Sequence, residues 1–463
     1  MPKLAEFERY INHLCEALGH QDRHAGFADY SRGLMLPIER KSVEPLAAHT
    51  DPLHVSAKHQ SLHHLVAQSE WSDTAVLGCV RDWVMPRLGQ KSKFYWIVDD
   101  TGFPKKGEHS VGVARQYCGQ LGKQDNCQVA VSLSLASEQG SVPIDWRLYL
   151  PESWAEDRRR RRKAGVPKEV KFLTKPEIAL EQIRAAKAAG VPVGIVLADA
   201  GYGNETQWRQ GLSELKLEYC VGVQSSTTVW PSGTGPLSPK PPKSIGRPPS
   251  RWRRGPGATP LSVKVLTESF KARRWHTVSW REGTNAVLWS RFAALRVRAA
   301  HRDQGRRTLR EQEWLLIEWP AEKSEPTKYW LSTLSADTPL VELVRTAKMR
   351  WRIERDYQEL KQEFGLSHYE GRGWRGFHHH ATLCIAAYGF LLADRLGHGG
   401  SKKNSTRSKA STLPQGYTPR GSPTHATSRE RFDRHAALHS GVRDRQKTPS
   451  MSMLQWGESL MTQ

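Results

Sequence analysis

The sequence lacks the features of secreted proteins, of zinc-knuckle proteins and of membrane-spanning proteins. Its six cysteines form no Cys-x-x-Cys pair, which excludes the common zinc knuckles and thioredoxin-type motifs. The most apolar run, residues 381–393, is shorter than the ~18 residues that a membrane span needs. Residues 1–9 are too polar for a signal peptide. We therefore expect a cytoplasmic protein with reduced cysteines and no membrane partner.

Acidic residues are scarce beside basic ones. The 463 residues include 47 Asp and Glu against 69 Lys and Arg, which leaves a formal net charge of +22. A positive excess spread along the whole chain favours a polyanionic partner, above all nucleic acid, over a merely solvated basic surface. Hydrophobic residues make up 38% of the chain, enough for a core divided over two or three domains.

The hydrophobic pattern divides the chain into five segments. Residues 1–90 are predicted to be helical, and residues 91–217 to follow the order β-β-β-α-β. Residues 218–335 are predicted to be rich in strands around a Pro/Gly-rich loop. Residues 336–397 are predicted to form helices, and residues 398–463, which contain few apolar side chains, a disordered basic tail.

Two helices carry local start signals. Thr174 and Glu177 form a capping box, with a proline just inside the helix that runs to Ala189. The segment 337–339 (Asp-Thr-Pro) predicts the start of one long helix, with Gly365 as a plausible stop.

Carboxylates mark the candidate chemistry. Two predicted strands end in aspartate, at Asp99 and Asp199, and the long helix carries Glu354. An Asp that ends a strand is more often a turn or cap residue. Two rigidly placed Asp and one helical Glu can nevertheless form the negative oxygen cage that two Mg²⁺ ions ~4 Å apart need for two-metal phosphodiester hydrolysis.

One face of the long helix is unusual in its charge pattern. At ~100° per residue, Arg350, Glu354, Tyr357 and Lys361 fall on the same face, so that one carboxylate stands between two cations. A neighbouring apolar stripe can dock this helix on a core. The arrangement is typical of a site that handles a divalent metal and a phosphodiester.

These motifs resemble those of the DDE transposases of bacterial insertion sequences, in the branch whose third carboxylate lies in a Tyr-x2-Arg-x3-Glu-x6-Lys helix. Arg350, Glu354 and Lys361 match the last three positions at the right spacing, whereas Ala347 stands at the Tyr position. Residues 99–103 (Asp-Asp-Thr-Gly-Phe) look like the first block and residues 199–203 (Asp-Ala-Gly-Tyr-Gly) like the second.

The resemblance implies a fold and an activity. It implies an α/β, ribonuclease-H-like catalytic core with a β-rich insertion and a helical N-terminal region that binds DNA. Asp99, Asp199 and Glu354 would be the catalytic residues and the ligands of Mg²⁺, with Mn²⁺ as a substitute. The enzyme would nick each transposon end with water and join the freed 3′-OH to target DNA. Its partners would be double-stranded DNA and a second copy of the chain, in the bacterial nucleoid.

Further side chains are candidates for DNA contact. The expected DNA-binding residues are Arg350, Lys361, Tyr357, Lys105, Lys106 and Arg115. The cationic run 158–163 fits a DNA contact or a solvated loop. Three tryptophans of the insertion either stack on a displaced base or belong to its core; they are Trp275, Trp280 and Trp289. The run 378–380 (His-His-His) suggests metal ligands, but consecutive helical residues point in different directions, which favours structural or DNA-proximal roles.

Several alternatives stay open at this point. Asp100 competes with Asp99 as the first carboxylate, although the Asp-x-Thr spacing favours Asp99. The triplet 100–102 (Asp-Thr-Gly) also occurs in aspartic proteases, but such an enzyme needs two of them or a short dimerising chain. Two further alternatives keep the same fold. One is a catalytically inactive DNA-binding protein derived from a transposase, which Ala347 favours weakly. The other is a nuclease that does not transpose.

Overall fold

The computed structural model describes residues 2–89, 92–241, 247–282, 286–303 and 306–399. The predicted tail lies outside these residues from position 400 onward. The helices are α1 Pro2–Cys15, α2 Asp22–Leu34, α3 Val43–Thr50, α4 Val55–Ala67, α5 Asp73–Val84, α6 Glu152–Ala155, α7 Arg158–Lys163, α8 Lys175–Ala188, α9 Ala200–Gly203, α10 Thr206–Glu214, α11 Val263–Glu268, α12 Leu340–Lys348, α13 Trp351–Gln362 and α14 Trp374–Gly399.

The strands and short turns complete the list. The strands are β1 Tyr95–Pro104, β2 Ala114–Cys118, β3 Lys123–Ala136, β4 Ser141–Leu148, β5 Ile195–Ala198, β6 Tyr219–Val223, β7 Thr228–Pro231, β8 Leu261–Ser262, β9 His276–Glu282, β10 Val287–Ala299, β11 Glu313–Trp319 and β12 Lys328–Ser332. The 3₁₀ turns are Glu16–Leu18, Met85–Leu88 and Ala272–Arg274.

One mixed sheet runs through the described residues. Its strand order is β2-β3-β1-β5-β6-β12-β11-β10-β7-β8, with β4 added on β3 and β9 on β10. The pairs β1–β5 and β5–β6 are parallel, and the other pairs are antiparallel. Helices cover this sheet, so the predicted α/β fold class is confirmed, and its features fit a ribonuclease-H-like core.

The strand-rich insertion is continuous with the rest of the sheet. Strand β6 was expected to open the insertion, yet it pairs in parallel with β5 through Leu197 and Cys220. Its other edge pairs antiparallel with β12, through Val221 and Leu331. The core sheet therefore passes directly into the insertion strands, and β6 belongs to both.

The N-terminal helices pack around α14, whose residues 381–393 are mostly apolar. The Tyr10 hydroxyl donates to the Ala386 carbonyl at 2.8 Å, and the rings of Phe7 and Phe390 meet edge to face at 5.1 Å between centroids. No helix among the described residues has the length and apolar character to cross a membrane.

Histidines 378–380 belong to this interface. The His379 ring stacks on Trp71 with 3.6 Å between centroids, and Tyr30 hydrogen-bonds His380 Nδ1 at 2.9 Å. All three side chains are buried. Their buried contacts give them a structural role in this interface. Within the described residues, no group of three His, Cys, Asp or Glu side chains could hold a metal ion.

The local structure differs from what the sequence predicts at three places. The cationic run 158–163 is a short helix, α7, capped by the Asp157 side chain on the Arg160 amide. A helix, α11, lies between β8 and β9 within the segment 218–335, for which the sequence predicts mainly strands. The long helix of residues 339–365 is broken into α12 and α13 at Met349–Arg350, while Gly365, with φ of 69°, follows α13 as the expected stop.

Candidate active site

Asp99 and Asp199 lie at the same level on neighbouring strands. The parallel register of β1 and β5 pairs Ile97 with Leu197, and each aspartate comes two residues later. Because side chains alternate along a strand, the two carboxylates point to the same face, with their strands ~4.8 Å apart. Strand β1 does not end at Asp99 as predicted; it continues to Pro104 against β3 alone.

Arg350 joins the first aspartate to the helical glutamate. Its Nη1 donates to Asp99 Oδ2 at 2.7 Å, and its Nη2 to Glu354 Oε1 at 2.8 Å. Arg350 stands at the start of α13, where the break after α12 turns the chain. The break therefore places one guanidinium between two of the three predicted carboxylates.

The predicted face of α13 lies against β1 and β3. Tyr357 Oη is 2.7 Å from Ser132 Oγ, and Ser132 is the β3 partner of Asp99. Further along, Lys361 Nζ donates to the Gly102 carbonyl at 2.8 Å and to Gln120 Oε1 at 3.0 Å. Three residues of the face predicted from the helical period, Arg350, Tyr357 and Lys361, thus contact the sheet.

The electrostatics of Asp99 are dominated by burial. Burial raises the pKa of Asp99 to about 7; Arg350 lowers it, and the charges of Asp199 and Asp100 raise it. Burial also pushes the pKa of Arg350 down, but the charges of Asp99, Glu354 and Asp199 outweigh this and raise its pKa. The Arg350 cation therefore favours the ionised form of Asp99, whereas burial and the neighbouring carboxylates oppose it.

Asp100 points to the opposite face of β1. Its carboxylate accepts a hydrogen bond from Lys175 Nζ at 2.8 Å and from the Tyr202 hydroxyl at 3.2 Å. Lys175 begins α8, and Tyr202 lies in α9. Because Asp100 is held by these two partners, Asp99 is the carboxylate that faces Arg350 and Glu354.

The turn after β5 fixes Asp199. Its side chain caps the short helix α9 by accepting the Gly201 amide at 2.8 Å. A Cβ on Gly203 would lie 1.9 Å from the Gly222 carbonyl oxygen of β6. Only glycine allows α9 to approach β6 this closely, so the Gly-Tyr-Gly turn holds the second carboxylate at the sheet.

Glu354 is the least constrained of the three carboxylates. Its side chain is 64% exposed, whereas that of Asp99 is 15% exposed. Among the described residues, no three Asp, Glu, His or Cys side chains converge closely enough to hold a metal ion. Asp99 and Asp199 are thus fixed at the sheet, whereas Glu354 is exposed and is linked to Asp99 through Arg350.

The other predicted DNA-contacting residues differ in accessibility. Tyr357 is 8% exposed, so its hydroxyl faces Ser132 and not the solvent; the expectation that it contacts DNA is not supported by this position. Lys105 donates to the Tyr369 carbonyl at 2.9 Å, and burial lowers its pKa. Lys106 and Arg115 are exposed.

Lys361 is largely covered by its neighbours. Burial lowers the pKa of its ammonium to about 8, and the Phe103 ring centroid lies 4.8 Å from its Nζ. The side chain still reaches the β1 backbone three residues from Asp99. It can thus stabilise negative charge near the carboxylates.

The tryptophans of the insertion divide into two groups. Trp275 packs on Trp319 with 5.1 Å between ring centroids, and Trp280 lies 4.3 Å from Lys348 Nζ. Both therefore belong to the core of the insertion. Trp289 is 52% exposed and keeps a face for a ligand.

Sequence reasoning missed the residues that orient the site from other elements. The capping box at residues 174–177 marks a helix start and gives no sign of the ion pair of Lys175, and Ser132 lies in a strand with no charged residue or motif beside it. Their partners, Asp100 and Tyr357, are distant in sequence. The alternation of β3, which places Ser132 beneath Asp99, was the one signal that could have indicated the pair.

Comparisons with known proteins identify the family of the chain. Residues 13–287, more than half of the chain, match a family described as DDE superfamily endonuclease. The match includes Asp99 and Asp199 and ends before Glu354. A protein of Microchaete diplosiphon named "Probable transposase for insertion sequence element IS701" is 34% identical over 171 residues, which are 37% of this chain and 42% of that relative. The chain thus spans less than half the length of this relative in the match.

Proposed function

Because the chain belongs to the DDE superfamily of endonucleases, we propose that it is a DNA transposase that cuts the ends of an insertion sequence and joins them to target DNA. One observation carries the proposal: Asp99 and Asp199 stand level on adjacent strands, and Arg350 links Asp99 to Glu354. The similarity to a probable transposase over part of the chain supports it.

The donor set fits a hard divalent cation, Mg²⁺ or in its place Mn²⁺. Asp99, Asp199 and Glu354 offer only carboxylate oxygens, which these ions prefer. Two of them are fixed by strands, and the exposed side chain of Glu354 has room to turn towards them. A divalent cation held there supplies Lewis-acid stabilisation of the charge that develops on the phosphate oxygens.

The chain's own residues then position the DNA strand. Arg350, released from the carboxylates it now links, presents two N–H groups to the oxygens of the phosphodiester. Lys361 places a second cation three residues further along β1. The same site, having cut an end, orients the freed 3′-OH for attack on target DNA.

Partner and domain roles follow from the same proposal. Helices α1–α5 bind the end sequence, residues 91–217 and 336–397 form the catalytic domain, and residues 218–335 form the insertion. Lys106 and Arg115, both exposed, contact the DNA backbone beside the site. A homodimer pairs two transposon ends.

The test is cleavage of a plasmid that carries the sequences flanking the gene of this protein. Wild type is compared with Asp99→Asn, Asp199→Asn and Glu354→Gln, with Mg²⁺ or Mn²⁺ present. Asp100→Asn is the matched control, since Asp100 faces Lys175 on the other side of β1. We expect cleavage by wild type and by the control, and none by the other three.

Two outcomes count against the proposal in different ways. Equal cleavage by wild type and Glu354→Gln would overturn the assignment of the third carboxylate. Binding of the plasmid without cleavage by wild type would support the alternative, an inactive transposase-derived DNA-binding protein. Ala347, at the position where the resembling branch has Tyr, is the observation that favours that alternative; it is buried in α12.

A further inference from the structure

A basic cavity lies between the insertion and α12. It has a volume of about 770 Å³, and its lining includes Lys271, Arg273, Arg274 and His276 together with Trp314 and Leu340. The four basic side chains are exposed. No Asp or Glu stands among the described residues that line it. A cavity with cations and no carboxylate favours an anionic ligand.

Local structure fixes the shape of this cavity. The 3₁₀ turn Ala272–Arg274 presents the two arginines in succession, and the Arg274 guanidinium lies 5.3 Å from the centroid of the Phe270 ring. The Trp314 indole N–H donates to the Ser335 carbonyl at 2.9 Å. The aromatic walls are therefore held in place, while the basic side chains remain exposed to solvent.

Strand β9 connects the cavity to the start of α13. It begins at His276 in the cavity wall, and its Arg281 guanidinium stacks on the Trp351 ring at 3.8 Å from the centroid. Five residues of strand extend over ~17 Å. Trp351 follows Arg350 directly, so β9 leads from the cavity to the candidate active site.

Helix α12 gives the same separation independently. Its first residue, Leu340, lines the cavity, and Arg350 follows ten residues later. Helix α12 rises ~12 Å from Leu340 to Lys348, and the two residues of the break up to Arg350 add ~3 Å at most. Both routes therefore place the cavity about four or five nucleotides from Arg350, since a DNA strand advances ~3.4 Å for each phosphate.

We infer that this cavity binds backbone phosphates of the DNA strand about four or five nucleotides from the phosphodiester held at Asp99 and Glu354. The distance of four or five nucleotides rests on the proposed function, because it is counted from the phosphodiester at the candidate active site. The binding of DNA phosphates in the cavity does not depend on that function. Lys271, Arg273 and Arg274 contact the phosphates, which contributes affinity without base sequence preference. The cavity thus fixes how far the DNA extends along the insertion.

The experiment measures the salt dependence of binding to a duplex oligonucleotide of arbitrary sequence. Each phosphate contact that is lost lowers the slope of log K against log salt by ~0.9. We expect the slope of the triple variant Lys271→Ala, Arg273→Ala and Arg274→Ala to fall by about 2 to 3. The charge-retaining variant Lys271→Arg, Arg273→Lys and Arg274→Lys should keep the wild-type slope.

A matched control removes equal charge elsewhere. Arg184→Ala, Lys187→Ala and Lys216→Asn change exposed cations at and beyond the far end of α8, with Asn chosen because Lys216 has φ of 56°. Thermal unfolding verifies that each variant is folded. Equal slopes for wild type and the cavity variant, or an equal fall in the control, would overturn the inference. Stronger competition by duplex RNA than by duplex DNA would overturn the choice of ligand.

Position is tested by hydroxyl-radical protection of the cleaved plasmid sequence. The cavity variant should lose protection about four or five nucleotides from the cut, and unchanged protection there would contradict the register. If wild type binds but does not cut, the proposed function fails while the salt slope still decides whether the cavity binds phosphates. The two failures are therefore distinguishable.

Discussion

The Tyr357 hydroxyl lies 2.7 Å from the Ser132 hydroxyl, inside the contact between α13 and the sheet. Ser132 is the β3 partner of Asp99, so this hydrogen bond fixes the middle of the Glu354 helix against the strand that carries the first carboxylate. Both side chains are buried. The pair therefore couples the fold directly to the geometry of the site.

Replacement of Tyr357 by Phe should lower stability and leave DNA affinity unchanged. The substitution removes a buried hydrogen bond and leaves Ser132 without this partner, at a cost of about 1–2 kcal/mol. Urea unfolding measures the loss, and duplex binding measures the affinity. A large fall in affinity with unchanged stability would instead restore the DNA-contacting role predicted from sequence.

A double-mutant cycle separates the bond from general packing. Ser132→Ala and the double variant with Tyr357→Phe complete the cycle. If the two hydroxyls interact as the structure shows, the double variant should lose less stability than the sum of the single variants. Strict additivity would mean that the hydroxyls do not interact in solution.

Glu318 and Lys348 form a buried ion pair that joins the insertion to α12. Lys348 Nζ lies 2.7 Å from both carboxylate oxygens of Glu318, and the Trp280 ring centroid is 4.3 Å away. The side chains are only 5% and 14% exposed for Glu318 and Lys348. Glu318→Leu should cost about 3–5 kcal/mol because it leaves a buried ammonium unpaired.

The partner substitution makes this prediction specific. The double variant Glu318→Leu, Lys348→Met should recover most of the lost stability, since both charges are then absent. Lys264→Ala breaks the exposed pair with Glu325 and should leave the denaturation midpoint nearly unchanged. Failure of the double variant to recover would show that packing around Lys348, and not its charge, dominates.

Much of the site was predictable because its signals are local. Asp199 follows a buried apolar run, and the positions Arg350, Glu354 and Lys361 follow from helical spacing. The capping box at Thr174 is present as predicted. Each of these depends on a few consecutive residues, whose preferences the fold does not override.

The remainder depends on contacts between distant segments. The break at Met349–Arg350 has no Gly or Pro to announce it, and both residues stay in the right-handed helical region. The period of α13 showed which residues share a face, but not that Tyr357 would be covered by β3. Strand β6 looked like the start of the insertion because pairing with β5 leaves no trace in its own sequence.

Replacement of Gly203 by Ala should impair the site through Asp199. A Cβ at this position would meet the Gly222 carbonyl oxygen at 1.9 Å, so α9 and β6 must separate. Such overpacking costs about 1–3 kcal/mol, and the displaced turn should reduce cleavage of the flanking-sequence plasmid. Gly119→Ala, which meets no atom within 4 Å, is the control and should retain both stability and cleavage.

Asp356 makes stability depend on pH. Burial raises the pKa of its carboxyl from 3.8 to about 7, against the hydrogen bonds from Ser141 and Tyr388 that lower it. At a pH between 3.8 and about 7, the folded protein holds a proton on Asp356 that the unfolded chain has released. The contribution of Asp356 to stability therefore falls as the pH rises through this window, and it stops falling above the folded pKa.

Asp356→Asn should remove this dependence while its side-chain oxygen still accepts from Ser141 and Tyr388. Relative to wild type, the variant should gain about 2–3 kcal/mol of unfolding free energy between pH ~5 and pH ~8. Urea unfolding across this range measures the free energy of unfolding of both proteins. The contribution of Asp99 is the same in both and cancels when one free energy is subtracted from the other. Ser141→Ala keeps the titrating carboxyl and should retain the decline. Parallel curves for wild type and Asp356→Asn would show that the Asp356 pKa is not raised in the folded protein.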